Sequence, residues 1–210
     1  MDRQDLVNWL LKGDVSIQYQ VYRDLLSIER EDLRSKIAKV GWGKRFLSKR
    51  KAAGHWGREF YQPKWISSHY TLLDLRNLCI SPTIPEIRES IELIINHEKG
   101  PDGGINPIGS ARKSDVCVNG MFLNYASYFK TEADALKSVV DFILTQHMTD
   151  GGFNCLSNTT GAVHSSLHST LSVLEGITEY ELNGYKYRLN ELRKAKKASI
   201  EFILLHQLYL

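Results

Sequence analysis

The sequence predicts an all-α fold, built as an α/α toroid of repeated helical hairpins of about 49 residues. Amphipathic segments with the helical spacing of apolar residues recur at that interval, and a Gly-Gly turn recurs with them. The strict alternation of polar and apolar residues that is typical of strands is nearly absent. These observations favour helical hairpins throughout the chain.

Three segments align without gaps and define the outer helices of the hairpins. They occupy residues 90–97, 139–146 and 199–206, at intervals of 49 and 60 residues. In the second one a single apolar stripe is formed by Leu136, Val139, Val140, Ile143 and Leu144. The longer last interval predicts an insertion near residues 181–193.

The turns that precede the inner helices also repeat. Asp-Gly-Gly-Ile occupies residues 102–105, Asp-Gly-Gly-Phe occupies residues 150–153, and Gly-His-Trp-Gly at residues 54–57 is a degraded copy. Glycine adopts the positive φ that stops a helix, and aspartate hydrogen-bonds to its own backbone there. We therefore predict that Asp102 and Asp150 are turn residues and not catalytic acids.

Inner helices, which carry fewer charges, are predicted after the turns, at residues 65–79, 115–129 and 163–180. Start signals agree: Ser114 is placed to cap a helix beginning at Asp115, Thr131 pairs with Asp134 in a capping-box pattern, and Pro85 suits a first helical position. The N-terminal part adds an outer helix near residues 2–12, an inner helix near 16–27 and a long basic outer helix near 31–51.

The domain organisation that follows is one toroid domain over residues 1–210, with repeat units at about 1–51, 52–98, 99–147 and 148–210. Outer helices then face water on one side. Inner helices are covered by outer helices on one face and line a central cavity with the other.

Composition excludes several classes of protein. Hydrophobic residues make up 42% and the net charge is +3, which excludes a disordered chain, and no apolar run is long enough to span a membrane. From the charged N-terminal residues we expect no secretory signal. Three cysteines without a CxxC pair argue against a disulfide scaffold or zinc ribbon, so we expect a cytoplasmic protein. The basic clusters at residues 44–51 and 186–197 are interpreted as solvated helix faces, and no nucleic-acid partner is expected.

One segment carries a resemblance to a known family. Residues 142–153 run from a helix ending in Gln146 into the Asp-Gly-Gly-Phe turn, and this string resembles the repeat signature of the terpenoid cyclase / protein prenyltransferase superfamily. The resemblance implies an α/α toroid with a central cavity for a small apolar or prenyl-type ligand. This chain supplies fewer hairpins than a closed ring of that superfamily, so we expect an open or incomplete ring.

An open ring would expose the apolar edge of its last helix. That edge is expected to associate with another copy or another segment, through Phe202, Ile203, Leu204, Leu205, Leu208 and Tyr209.

The resemblance also bears on catalysis. The DxDD motif of class II cyclases is missing, since Asp74, Asp115 and Asp141 each stand alone, so squalene-type cyclisation is not expected. The prenyltransferase branch binds zinc through an Asp-x-Cys pair and a histidine one repeat later. By that resemblance the zinc ligands are Asp115, Cys117 and His164, with His168 as the alternative histidine. The residues themselves leave another interpretation open, in which Asp115 starts a helix and Cys117 packs in the core.

A second set of candidates follows from the repeat. Counted from the apolar residue of each turn, His69, Asn119 and His168 fall at similar positions of successive inner helices. With Tyr70, Tyr125 and Glu175 as neighbours, they are predicted to form a ligand-recognition ring in the cavity. In the alternative interpretation, each is a core group hydrogen-bonded to a neighbouring helix.

Three functions are considered for these patterns, and the third fits them least well. In the first, a prenyltransferase-like or cyclase-like protein binds an isoprenoid ligand, and Arg58, Lys64 or Arg112 neutralises a diphosphate. In the second, the chain is a non-catalytic helical scaffold that binds through its concave face. The third is a carbohydrate-active toroid, for which Asp115 and Glu175 lie too far apart in depth along adjacent inner helices.

Overall fold

The structure, a computed structural model, describes residues 2–106, 113–158 and 160–206. Within those ranges the regular secondary structure is helical and contains no strand, so the all-α prediction is confirmed. The chain divides into two compact units, Met1–Pro85 and Glu86–Leu210, and the boundary falls inside the predicted repeat at residues 52–98. Across the described residues, no helix is both long and apolar enough to cross a membrane.

The first unit contains α1 (Arg3–Leu10), α2 (Val15–Gln20), α3 (Glu31–Ile37), α4 (Gly41–Leu47) and α5 (Ser68–Asn77). A π-helical turn at Val21–Leu25 extends α2. Aspartates start the first two helices: the Asp2 carboxylate accepts the Asp5 N–H, and the Asp14 carboxylate accepts the Ser16 N–H. Helix α2 contacts α3 and α4, and α4 contacts α5.

The prediction of one long basic helix over residues 31–51 is wrong, because the chain breaks between α3 and α4. Gly41 has a φ of +63°, a left-handed conformation that ends a helix and that glycine adopts without strain. The Asp14 carboxylate occupies the space that a β-carbon at Gly41 would need. Its Oδ2 accepts the backbone N–H of Trp42 at 2.9 Å, which fixes the start of α4.

The second unit contains α7 (Val116–Tyr128), α8 (Ala133–Thr145), α9 (Leu167–Leu182) and α10 (Leu189–Leu205), and α6 (Pro85–His97) begins at its boundary. Pro85 is the first residue of α6, as predicted. Helix α7 contacts α8 and α9, while α10 contacts α9 and α8. Two successive hairpins therefore pack through both their first and their second helices.

Two predicted helix starts are corrected. Asp115, not Ser114, occupies the N-cap position of α7. Helix α8 begins after Glu132 with no side-chain cap, and Asp134 instead forms a salt bridge with Lys137 at 2.7 Å. In both cases the predicted capping side chain has another partner. Ser114 donates its hydroxyl to Asp102, and Asp134 pairs with Lys137.

The predicted insertion at residues 181–193 becomes the end of α9, a linker and the start of α10. The linker is held by aromatic residues. Tyr185 stacks on Tyr180 with ring centroids 4.8 Å apart and donates its hydroxyl to the carbonyl of Thr131. Tyr187 and Arg188 both contact the carboxylate of Asp141 on α8.

Candidate functional site

Both Asp-Gly-Gly turns hold the approach to the following inner helix in the same way. The Asp102 carboxylate accepts the N–H and the hydroxyl of Ser114, each at 2.7 Å. The Asp150 carboxylate accepts the N–H of Ser165 at 2.7 Å and also its hydroxyl. The first glycine of each turn has a positive φ, +86° and +97°. Asp102 and Asp150 are therefore turn residues, as predicted.

A second recurring contact joins each turn to an inner helix. The apolar residue after the turn is buried and donates its backbone N–H to a side-chain oxygen on the inner helix. The pairs are Trp56 with Ser68 at 3.0 Å, Ile105 with Asn119 at 2.7 Å and Phe153 with Thr170 at 3.0 Å. The equivalent inner-helix positions are thus Ser68, Asn119 and Thr170.

Asn119 has the second of the two roles considered for it, that of a hydrogen-bonded core group. It is fully buried, and its amide nitrogen donates to the carbonyls of Ile105 at 3.0 Å and Asp115 at 2.9 Å. His69 and His168 lie one residue after and two residues before their structural equivalents. Because each residue turns a helix by about 100°, the three predicted ring members occupy different helix faces.

The first unit contains a contiguous group of rings, here called the aromatic cluster: Phe60, Tyr61, Trp65, His69 and Tyr70. The ring centroids are 4.9 Å apart for Trp65–Tyr70, 5.5 Å for Tyr70–Tyr61, 5.5 Å for Tyr61–His69 and 5.4 Å for His69–Phe60. The Tyr70 hydroxyl donates to the Tyr61 hydroxyl at 2.9 Å. The cluster therefore reaches from the core to the surface without a break.

At its outer end the aromatic cluster is open to solvent. Trp65 is 73% exposed and the neighbouring Ile66 is 62% exposed. Trp65 has a φ of +74°, a strained conformation for a residue with a large side chain. The Lys64 ammonium lies 5.7 Å from the centre of the Tyr61 ring, and Arg58 is exposed in the same segment. Exposed apolar side chains and two exposed cations thus occur in one segment, residues 58–66.

At its inner end the cluster holds a neutral imidazole. His69 is fully buried between the rings of Phe60 and Tyr61, and its backbone N–H donates to the Phe60 carbonyl at 3.0 Å. Burial lowers the pKa of His69 to about 3, because a charged imidazolium loses its hydration there. His69 therefore supports the cluster as an uncharged ring.

Asp74 is a titratable group that the sequence interpretation left without a role. It lies one helical turn beyond Tyr70 on α5, and both residues are half-buried. Burial raises the pKa of the Asp74 carboxyl. The sequence signal that could have identified Asp74 is its i, i+4 spacing from Tyr70.

The predicted candidates on α7 and α9 fall into two groups. His168 and Glu175 are exposed on α9, and Leu171 at 53% and Leu182 at 75% extend the same stripe. Tyr125 on α7 is instead fully buried, and burial raises the pKa of its hydroxyl well above the usual range. The stripe on α9 is therefore a solvent-facing surface, while Tyr125 belongs to the core.

The proposed zinc ligands are not brought together. Cys117 forms a disulfide with Cys155, with Cα atoms 6.0 Å apart, and the Cys155 sulfur accepts the Cys117 N–H and the Ser169 hydroxyl. His164 is exposed. In the described part of the chain, no three His, Cys, Asp or Glu side chains are arranged to hold a metal ion. The zinc site expected from the resemblance therefore stays a prediction.

The structure contains one disulfide, whereas the sequence argued against a disulfide scaffold. Cys79 alone is a free, buried cysteine among the three. Cys155, which the sequence interpretation did not assign, is the partner of Cys117. Two cysteines 38 residues apart carry no local signal for pairing, so only the packing of the turn against α7 could show it.

Some candidate residues lie outside the described ranges: Arg112 among the cations, and Leu208 and Tyr209 at the C-terminal edge. Of the remaining edge residues, Phe202 is buried, while Leu204 and Leu205 are 65% and 75% exposed. Association through this edge stays a prediction.

Comparison of the chain with protein-family profiles, with curated proteins and with solved structures gives no match.

Proposed function

We propose that this protein binds an apolar, isoprenoid-type ligand at the aromatic cluster, with its anionic head group near Lys64 and Arg58. The observation that carries the proposal is the unbroken series of ring contacts that ends on the exposed Trp65. A side chain of that size, held out of the core in the same segment as two exposed cations, is a surface that a ligand would cover.

The chemistry of such a ligand matches the surface. A branched hydrocarbon chain gains free energy by covering the faces of Trp65 and Ile66, which water now contacts. A diphosphate would be neutralised by the Lys64 ammonium and the Arg58 guanidinium. His69 stays neutral beneath the cluster, so it would not compete for the anion.

The architecture is consistent with the proposal at the level of hairpins. Consecutive hairpins of the second unit pack through their first helices, α7 and α9, and through their second helices, α8 and α10. We interpret these as repeats of an α/α toroid of the terpenoid cyclase / protein prenyltransferase type. The proposal concerns binding, and catalysis is a separate question.

The test compares two probes that share one hydrocarbon chain. Farnesyl diphosphate and farnesol are titrated into the purified protein by calorimetry. We expect Trp65→Ala to weaken both by about tenfold, since removing a large apolar contact costs about 1.5 kcal/mol or more. We expect Lys64→Gln to weaken the diphosphate alone.

Trp9→Ala is the matched control, because Trp9 is 63% exposed elsewhere in the first unit and lies outside the aromatic cluster. Its affinity for both probes should equal that of the parent protein. Equal affinities of the Trp65→Ala and Trp9→Ala proteins, or no binding of either probe, would refute the proposal.

A non-catalytic helical scaffold is the second candidate, and the exposed stripe on α9 favours it. Leu171 and Leu182 present apolar surface to solvent beside the polar His168 and Glu175. If the chain is a scaffold, Leu171→Asp should abolish binding of a protein partner. The variant should not differ from the parent protein in farnesyl diphosphate binding, whether or not the parent binds it.

A further inference from the structure

The charges of this chain are strongly uneven along the sequence. Residues 33–58 contain nine Lys or Arg residues and no Asp or Glu, whereas the whole chain has a net charge of only +3. The remaining residues therefore carry a net charge of −6. Such a separation of charge indicates a positively charged surface that attracts anions, and it exceeds what the small net charge of the chain would require.

Six of those cations form what we call the basic face: Lys36, Lys39, Lys44, Arg45, Lys49 and Lys51. All six are exposed. Helix α3 buries Leu33 and Ile37, and α4 buries Gly43, so Lys36, Lys44 and Arg45 are on the solvent side of their helices. The other three lysines are exposed in the segments that follow α3 and α4. Within the described ranges none of the six makes a salt bridge. Two of them interact electrostatically with a carboxylate at longer range, Arg45 with Asp14 and Lys36 with Asp32.

Apolar side chains lie among these cations. Val40 is 48% exposed and Trp42 is 53% exposed, and both come between Lys39 and Lys44 in the sequence. The Arg45 guanidinium lies 5.0 Å from the centre of the Trp42 ring. The basic face therefore presents charge and an amphipathic aromatic ring together.

We propose that the basic face docks on a bilayer surface containing anionic lipid. Clustered lysines and arginines are attracted to anionic head groups, and tryptophan prefers the interface between head groups and acyl chains. The cations would contact head groups while Trp42 and Val40 insert between them. This inference is independent of the isoprenoid ligand and of the aromatic cluster.

Two features favour a lipid surface over a nucleic acid. Arg45 lies over the Trp42 ring, so that face is not free for a base to stack on. Five of the six cations are lysines, which act as point charges and lack the planar fork that arginine uses to recognise bases. Head groups require only charge and a dispersed apolar contact.

Vesicle co-sedimentation of the full chain, without isoprenoid, tests the proposal. Vesicles contain phosphatidylcholine alone or with phosphatidylserine. We expect binding only with phosphatidylserine, and weaker binding as salt is raised. Each cation near an anionic surface strengthens binding about fivefold, so Lys39→Ala/Lys44→Ala/Lys49→Ala together should weaken it about a hundredfold.

The control removes the same charge from the other basic cluster, as Lys186→Ala/Lys194→Ala/Lys197→Ala. Those lysines are also exposed. Binding by this protein should stay within about twofold of the parent, because general charge is not the cause. Trp42→Ala should weaken binding to phosphatidylserine vesicles while the thermal unfolding midpoint changes little, since the ring is half-exposed.

Three results would overturn the proposal. The two triple variants could lose binding equally, the parent could bind phosphatidylcholine alone as well as the mixed vesicles, or it could bind RNA more tightly than mixed vesicles at the same salt concentration. A failure here leaves the proposed isoprenoid site untouched, because that site is assayed without vesicles and with different variants.

Discussion

Gly120 of α7 and Gly176 of α9 face each other, and neither has room for a β-carbon. A β-carbon built on Gly176 would overlap the carbonyl oxygen of Gly120, and one built on Gly120 would lie 2.7 Å from the carbonyl of Ser172. The two backbones are therefore in direct contact. This contact joins the first helices of two successive hairpins.

The first prediction concerns this contact. Gly176→Ala should lower the free energy of unfolding by about 1–3 kcal/mol, because the added methyl group forces α7 and α9 apart. Urea denaturation followed by circular dichroism measures the change. Glu175→Ala, an exposed neighbour on α9, should change stability by less than about 0.5 kcal/mol. Similar losses in both proteins would contradict the role of the glycine contact.

The Asp-Gly-Gly turns give a second prediction. Asp102→Ala should cost about 1–2 kcal/mol of stability, because it leaves the N–H and hydroxyl of Ser114 without their charged acceptor. A double-mutant cycle with Ser114→Ala measures the coupling. The exposed Glu92→Gln serves as a charge control. A coupling energy near zero would show that the turn does not need this clamp.

The buried imidazole of His69 gives a third prediction, which concerns pH. Burial holds its pKa at about 3, below the ordinary value of 6.5. Between these two pH values His69 is therefore protonated in the unfolded chain and neutral in the folded chain. Stability should be fully present above about pH 6.5 and fall by up to about 1.4 kcal/mol per pH unit below it.

Urea denaturation at neutral and mildly acidic pH measures this loss. His69→Leu should flatten the profile relative to the parent protein. A parent profile that is flat between neutral pH and pH 5 would contradict a buried neutral His69.

Asp74 should show the opposite pH dependence. Its folded pKa is raised by burial, so the stability linked to its protonation is present at low pH and is lost as pH rises through that value. Asp74→Asn should therefore raise the thermal unfolding midpoint at neutral pH and leave it unchanged in acid.

Asp134→Asn is the control of opposite sign. The Lys137 ammonium lowers the pKa of Asp134, so this substitution should not raise stability at neutral pH. An equal effect of the two substitutions would show that burial of Asp74 is not the cause.

The state of Cys117 distinguishes the disulfide from a zinc site. We expect the folded, oxidised protein to hold no stoichiometric zinc. After denaturation without reductant, it should show one titratable thiol, that of Cys79. Cys155→Ala should then cost about 4 kcal/mol, since a link across 38 residues restricts the unfolded chain. Three thiols together with one bound zinc would instead support the ligands expected from the resemblance.

The sequence predicted the elements whose signals are local. The Asp-Gly-Gly turns and the start of α6 at Pro85 follow from backbone preferences of a few adjacent residues, so they could be identified before the fold was known. The break at Gly41 was missed because the acceptor that fixes the start of α4 there, the carboxylate of Asp14, lies 27 residues earlier in the chain.

The sequence by itself determined an all-helical chain and the turn role of Asp102 and Asp150, since hydrophobic period and turn chemistry are properties of neighbouring residues. The tertiary structure decided which polar residues face solvent and which are buried. It placed Asn119 in the core and joined Cys117 to Cys155. It also connected buried His69 to exposed Trp65 through the ring of Tyr70, which contacts both. Those relationships depend on contacts between distant segments, and a shift of one residue moves a side chain by about 100° around its helix.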